Sequence, residues 1–306
     1  MAELKAGRIV EWRMLSPGLS LFRVVGPAGA TFPGYVAGQY MALRRDDCRL
    51  TRKVKEGDEV RYVPDLDEAG EQRRGAVTHS YSIASAPFET EEHNYLEFYV
   101  VLEKGRDGVL GRWTESLFRI EQDHDARIAY VERIVGDYTL AKRAAGCEHV
   151  LMVGTGTGLA PFISMVKQLD HEAQLGGASE VRYTLIHTNR TYEELAYHRE
   201  LLDIEAAARF DFVYVPSVSR PTERDRSDPE LGVGRTNNLL RHIVGLPVRE
   251  AGSVVPSLPQ RHSLAMVKER ILSTKSVILT CGNPDGMADI GWIAGQIGAR
   301  FEKEDW

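Results

Sequence analysis

The chain has 306 residues, a formal charge of −6 and 43% hydrophobic residues. That balance suits a globular chain with room for two cored domains of about 150 residues each, and it excludes disordered, collagen-like and mucin-like proteins. There is no apolar run of about 18 residues and residues 1–5 lack the apolar stretch of a secretory signal, so the expected location is the cytoplasm. Cys48, Cys147 and Cys281 are too few for a disulfide framework, a four-cysteine zinc site or a four-thiolate iron-sulfur cluster. No metal site is expected, and redox chemistry would need a cofactor held without covalent sulfur ligation. In chain order, short alternating runs at 19–25, 40–43, 59–63, 80–84, 96–102 and 126–131 are separated by Gly and Pro, the spacing of an antiparallel barrel or sandwich. Beyond about Lys142 the rhythm changes. Apolar runs at 149–153, 181–187, 210–215 and 276–280 alternate with helical stretches at 162–169, 192–207, 264–272 and 287–301. The expected fold class is therefore an antiparallel β-barrel, residues 1–143, followed by a doubly wound parallel-sheet α/β domain, residues 144–306. Residues 63–75 and 221–252 are expected to be surface excursions.

The strongest motif follows the run 149–153: Gly154, Thr155, Gly156, Thr157, Gly158, Leu159, Ala160, Pro161. A strand ends, glycines let the backbone approach a phosphate, and Pro161 sits where a first helical turn tolerates a missing N–H. The helix N-terminus then offers N–H groups and a positive dipole to a pyrophosphate. The spacing is Gly-x-Gly-x-Gly, and the plainer alternative is a tight turn. The next strand ends deliver His187, Thr188, Asn189 and Arg190, then Ser217, Val218, Ser219 and Arg220, where an NAD-selective domain tends to carry an acidic residue. Two arginines beside a hydroxyl suit a 2′-phosphate, with Arg235 a third, so NADP is expected over NAD; singly, each is equally a solvated arginine. Arg44, Arg45, Arg49, Arg52, Lys53 and Lys55 crowd one segment of an acidic chain. Such a patch steers small acidic electron carriers, unless Asp46, Asp47 and Glu56 balance it locally. No basic excess points to nucleic acid.

In the first half, His79, Ser80, Tyr81 and Ser82 put an aromatic ring and hydroxyls on one strand. A tyrosine ring can cover a planar cofactor while serine bonds a ring nitrogen, although a core tyrosine has the same sequence. Taken in order, Gly38-Gln39-Tyr40, Tyr81-Ser82-Ile83-Ala84-Ser85, the glycine motif from Gly154 to Pro161, and Cys281-Gly282-Asn283-Pro284 resemble the ferredoxin-NADP reductase family, bacterial type. The likeness runs over nearly the whole chain outside the two excursions. It implies an FAD-binding barrel and an NADP-binding domain that transfer a hydride between NADP(H) and FAD and single electrons to ferredoxin or flavodoxin. Alternatives are an NAD(P)H-dependent oxygenase reductase, or an FAD-binding relay or regulatory subunit without productive NADP chemistry.

The resemblance further implies that Tyr81 stacks on the isoalloxazine and Ser82 bonds near its N5, with His79 and Ser80 beside them. The backbone of Phe98, Tyr99, Val100 and Val101 would run along the ribityl and phosphate region, and Gly108, Val109, Leu110 and Gly111 would form a second pyrophosphate loop. Two positions depart from the family: His79 stands where an arginine is usual and Gly111 where a hydroxyl residue is usual. Arg112 is a candidate substitute for the missing arginine. Thr155 and Thr157 would lie at the NADP turn, and Asn189, Arg190, Ser219, Arg220 and Arg235 at the 2′-phosphate. Cys281 would pack against the nicotinamide, where the residue taken alone reads rather as an inert buried thiol. Trp306 would stack on part of the FAD with Glu302 a polar contact near the flavin edge, the alternative being a frayed terminus.

Overall fold

A computed structural model of the chain describes residues 3–56, 59–105, 108–177, 179–249, 254–272 and 275–304. It has two compact units, one of Met1–Tyr35, Tyr40–Ser85 and Glu89–Val135, the other of Val36–Gln39, Ala86–Phe88 and Gly136–Trp306.

The first unit contains β1 (Leu4–Ser16), β2 (Leu19–Val25), β3 (Tyr40–Arg49), β4 (Thr51–Glu56), β5 (Glu59–Pro64), β6 (Arg74–Ser82), β7 (Leu96–Val101) and β8 (Arg127–Val135). Six of them form one sheet in the order β6-β3-β8-β1-β2-β7, antiparallel at every pairing. Just past β6 the Ala84 N–H donates to the Glu97 carbonyl of β7 at 2.8 Å, which draws the two edges together as a barrel requires. Inside, Phe22 and Phe98 stack at 5.3 Å, and the helix Arg112–Phe118 buries Trp113 and Leu117 beside Met41 and Leu43. β1 shows no strand signal in the sequence because only Ile9 among its thirteen residues is buried. β4 and β5 form a separate two-stranded ribbon.

The second unit holds β9 (His149–Thr155), β10 (Arg182–Asn189), β11 (Phe212–Val218), β12 (Gly232–Val233), β13 (Ser276–Cys281) and β14 (Arg300–Lys303). Their order is β12-β11-β10-β9-β13-β14, parallel throughout. β9, β10, β11 and β13 are buried along almost their whole length because both faces are covered, which is why they read as apolar runs. The chain moves outward from β9 to β12 and then returns to the other side of β9. The order therefore switches between β9 and β13, and the carboxyl ends there form the crevice of a doubly wound sheet.

Three expectations are corrected. The helix at 192–207 is interrupted: a single 3-10 turn, Tyr192–Glu194, is followed by Tyr197 in the left-handed region (φ 60) before the helix His198–Ala207. The helix at 287–301 instead spans Pro284–Ile297, because Gly298 caps it at φ 67 and Arg300–Lys303 pairs with β13 as an edge strand. Residues 221–252 are not all surface, since the helix Thr236–Val244 packs Leu239, Leu240 and Ile243 into the core. Among the described residues no helix is long and apolar enough to cross a membrane.

Candidate functional site

The carboxyl edge of the parallel sheet is built around the turn after β9. From Thr155 the chain passes through a 3-10 segment, Gly156–Leu159, into the helix Ala160–Gln174, with Pro161 in its first turn. Gly156 is left-handed (φ 58), and a side chain there would enter open space. At Gly158 the constraint is different: a Cβ would overlap the Cys281 carbonyl at the end of β13. No side chain caps the 3-10 segment, so the N–H groups at its start and its positive dipole end remain for an anion, while the Ala160 N–H that follows is taken by Thr157 O. Thr155 Oγ1 lies 2.9 Å from Thr236 Oγ1, tying the turn to the start of the helix Thr236–Val244.

Backbone hydrogen bonds gather the strand ends at this edge. The Ser219 N–H donates to Asn189 O at 2.9 Å, the Arg220 N–H to Arg190 O at 2.8 Å and the Gly234 N–H to Val218 O at 2.9 Å. The five residues expected at a 2′-phosphate are thus brought together, in different states. Asn189 is turned onto its own loop, its amide donating to Glu194 O at 2.7 Å and its carbonyl oxygen accepting the Arg190 N–H at 3.0 Å. Arg190 pairs with Glu194 at 2.6 Å. Ser219 Oγ donates to Asn189 O at 3.2 Å, and Arg220 and Arg235 are exposed. Beneath the turn, His187 is wholly buried with neither ring nitrogen hydrogen-bonded. An orphaned buried polar group of this kind costs about 1–3 kcal/mol. Burial, reinforced by the nearby His198, pushes His187 down to about 3, so its ring is neutral.

At the end of β13 the Cys281 thiol donates to Glu304 Oε2 at 3.0 Å. Burial and the facing carboxylate push the thiol well above its ordinary value, so it stays protonated. The Glu304 N–H reaches Thr280 O at 3.1 Å, and that carbonyl also accepts the buried Tyr138 hydroxyl at 2.9 Å. Glu302 lies elsewhere, paired with Arg143 at 2.9 Å and Arg300 at 3.1 Å. The carboxylate at the cysteine is Glu304, a residue the sequence reading did not single out. Trp306 falls outside the described residues.

In the first unit, β6 presents His79 and Ser80 to solvent and buries Ser82. Between them Tyr81 stacks on Trp113, centroids 4.6 Å apart, and burial pushes its hydroxyl far above the usual range. On β7, Phe98, Tyr99 and Val100 are buried and Val101 is exposed. The loop bearing Gly108, Val109, Leu110 and Gly111 is closed by the Gly111 N–H on Glu103 O at 2.9 Å. Gly111 has no space for a hydroxyl side chain: a Cβ would lie 2.6 Å from Glu103 Oε2 and 2.9 Å from Thr114 Oγ1. Arg112 is exposed and, with Val109, Leu110 and Arg49, lines a cavity of about 190 Å³.

The basic segment needs one correction. Arg45 is buried, because the alternation of β3 turns it inward; its guanidinium donates to Ser116 Oγ at 3.0 Å and to the Asp125 and Arg127 carbonyls, with Asp47 at 3.1 Å. Arg44 pairs with Asp46 at 2.7 Å and Arg49 with Glu115 at 3.0 Å. Arg52, Lys53 and Lys55 are exposed on the β4–β5 ribbon.

Residues 152–244 match the model of the oxidoreductase NAD-binding domain. A flavodoxin/ferredoxin–NADP reductase of Buchnera aphidicola is 29% identical over 130 residues, 42% of this chain and 45% of that protein. A ferredoxin–NADP reductase of Azotobacter vinelandii is 27% identical over 180 residues, 55% of this chain and 60% of that protein. The chain thus spans about half the length of the curated relatives it matches. The crystal structure of a ferredoxin NADP+ reductase from Neisseria gonorrhoeae with bound FAD and NADP has the same fold, with a TM-score of 0.65 at 20% identity over 99% of both chains. Over these stretches the chain is similar to ferredoxin–NADP reductases, and its fold is the one seen in the Neisseria enzyme.

Two residues of this edge escape the sequence. Glu304 has no signal until β14 is paired, since only the register Thr280↔Lys303 sets it beside Cys281. His187 was visible at the end of its strand but carries no motif; only its lack of a partner distinguishes it.

Proposed function

We propose that the chain is a flavin-dependent reductase that uses NADP(H) and passes single electrons to a ferredoxin or flavodoxin. The observation that carries this is the uncapped glycine turn at a carboxyl edge that also holds Arg220 and Arg235, with Asn189 and Arg190 rather than an acidic residue at the end of β10 and the nearby Glu194 paired with Arg190. The residues fit a dinucleotide: Gly156 faces open space, and the buried His187 lacks a partner at the same turn. The fit to FAD rests on Tyr81, held on one face by Trp113 and mostly buried but not closed off, which suits a planar ring on its other face, and on the exposed His79 and Arg112 for phosphate. Residues 1–143 are the proposed FAD-binding domain and 144–306 the NADP-binding domain.

When bound, these cofactors supply hydride transfer between nicotinamide and flavin and one-electron release to a carrier. The chain's own residues bind and orient. Thr155, Thr157 and the turn's N–H groups would hold the pyrophosphate, while Arg220, Arg235 and Ser219 would hold the 2′-phosphate through charge-assisted bonds. Cys281, kept as a neutral thiol by Glu304, would offer the nicotinamide a soft uncharged surface. Ser82 would bond the flavin near N5. Arg52, Lys53 and Lys55, with Arg44 and Arg49 at the margin and without Arg45, would steer an acidic carrier protein.

The test is anaerobic stopped-flow reduction of the purified flavoprotein by NADPH and NADH side by side. Faster bleaching by NADPH that is weakened in Arg220→Ala supports the proposal. Preference for NADH would favour an oxygenase reductase, bound flavin that neither nucleotide bleaches would favour the relay or regulatory reading, and absence of bound flavin would overturn the FAD site, where His79 stands in place of arginine.

A further inference from the structure

We propose that His187 is a positioning residue for the phosphate turn: with a dinucleotide bound, its ring N–H donates to the Gly156 carbonyl and holds the Gly156–Thr157 peptide so that the Thr157 N–H faces the pyrophosphate. This rests on the dinucleotide reading above and names the group that sets its geometry.

His187 stands on β10 opposite Gly154 of β9 and Pro216 of β11, directly under the turn. The Gly156 carbonyl lies close enough to the ring to hold its pKa up against burial, but neither ring nitrogen reaches it with the geometry of a full hydrogen bond. Its polar neighbours are each engaged: Thr188 with Ser217 at 2.5 Å, His198 with Tyr214 at 3.3 Å and Thr155 with Thr236 at 2.9 Å. The residue left without a partner is the one beneath the turn.

A trans peptide points its C=O and N–H in opposite directions. Drawing the Gly156 carbonyl inward therefore turns the Thr157 N–H outward, to the side where the space around Gly156 is open. A carbonyl oxygen has two acceptor positions, so the Gly156 carbonyl can take the ring N–H in addition to a helical bond. A neutral imidazole carries one N–H for this purpose and brings no charge to an anion site.

The test uses the FAD-loaded protein and two probes: NADP+, which reaches the turn, and adenosine 2′-phosphate, which has no 5′-phosphate to place there. His187→Leu should weaken NADP+ about tenfold, the scale of one lost hydrogen bond, and leave adenosine 2′-phosphate unchanged. His187→Gln, which restores a donor, should recover most of the loss. In the wild-type protein with 15N-labelled histidine, NADP+ should give the His187 ring a slowly exchanging N–H signal that adenosine 2′-phosphate does not. This measurement stands even where a variant fails to fold. Equal loss for both probes in His187→Leu, unchanged NADP+ affinity, or a ring signal indifferent to NADP+ overturns the positioning role. A wild-type protein that binds neither probe overturns the dinucleotide reading and the positioning role with it.

Discussion

Two glycine-bracketed turns, Gly154 to Gly158 in the second unit and Gly108 to Gly111 in the first, differ in what crowds them. At Gly158 the obstacle is backbone, the Cys281 carbonyl, which no neighbouring substitution can remove. At Gly111 the obstacles are the Glu103 and Thr114 side chains, which other residues could vacate. A turn hemmed in by backbone keeps its glycines whatever surrounds it. One hemmed in by side chains can exchange a glycine for a hydroxyl residue together with its neighbours, which accounts for a readable motif in one and an altered one in the other.

The units differ as strongly in their histidines, and acid should expose this most. Burial pushes His149 and His187 down to about 3 and His198 to about 4, with Arg270 near the first and Arg261 near the last adding to the shift. The unfolded values lie near 6.5. The unfolded chain therefore binds more protons below pH 6.5, and the stabilisation from neutral burial is full above that value and lost as pH falls toward 4. Between pH 7 and 5 each histidine should withdraw about 2 kcal/mol. Urea unfolding at both pH values, with hydrogen exchange to locate the loss, should find it in the second unit; a loss confined to the barrel would break the contrast.

Gly158→Ala should cost about 3 kcal/mol and most of the NADP+ affinity, read by thermal unfolding and ligand titration. Arg220→Ala should weaken NADP+ by about 1.5–3 kcal/mol, as expected for a charged hydrogen bond, with unfolding unchanged because the side chain is exposed. Smallest of all, Gly111→Ser should cost about 1 kcal/mol, and adding Glu103→Ala should recover part of it. A Gly111 variant as damaging as Gly158→Ala would mean that both turns are fixed by backbone.

The parallel sheet was legible because its strands are buried on both faces, and the glycine turn because strand, glycines and helix follow in sequence. β1 was not, since a single buried residue cannot set a period. Arg45 and Arg52 look alike in a basic run, yet β3 turns Arg45 to the core while the ribbon leaves Arg52 in water. Glu304 comes beside Cys281 only through the pairing of a four-residue edge strand. Each failure is one of long-range pairing, which local pattern does not carry.

The β4–β5 ribbon also bears on how the protein keeps company with itself in concentrated solution. It leaves Val60 and Tyr62 in water, with the Lys53 ammonium 5.8 Å from the Tyr62 ring centroid. A bare two-stranded ribbon is a template for further strands, and like charges along it are what keep a second copy from adding on. Concentrated salt screens that repulsion, so the safeguard against self-association on this ribbon weakens as ionic strength rises.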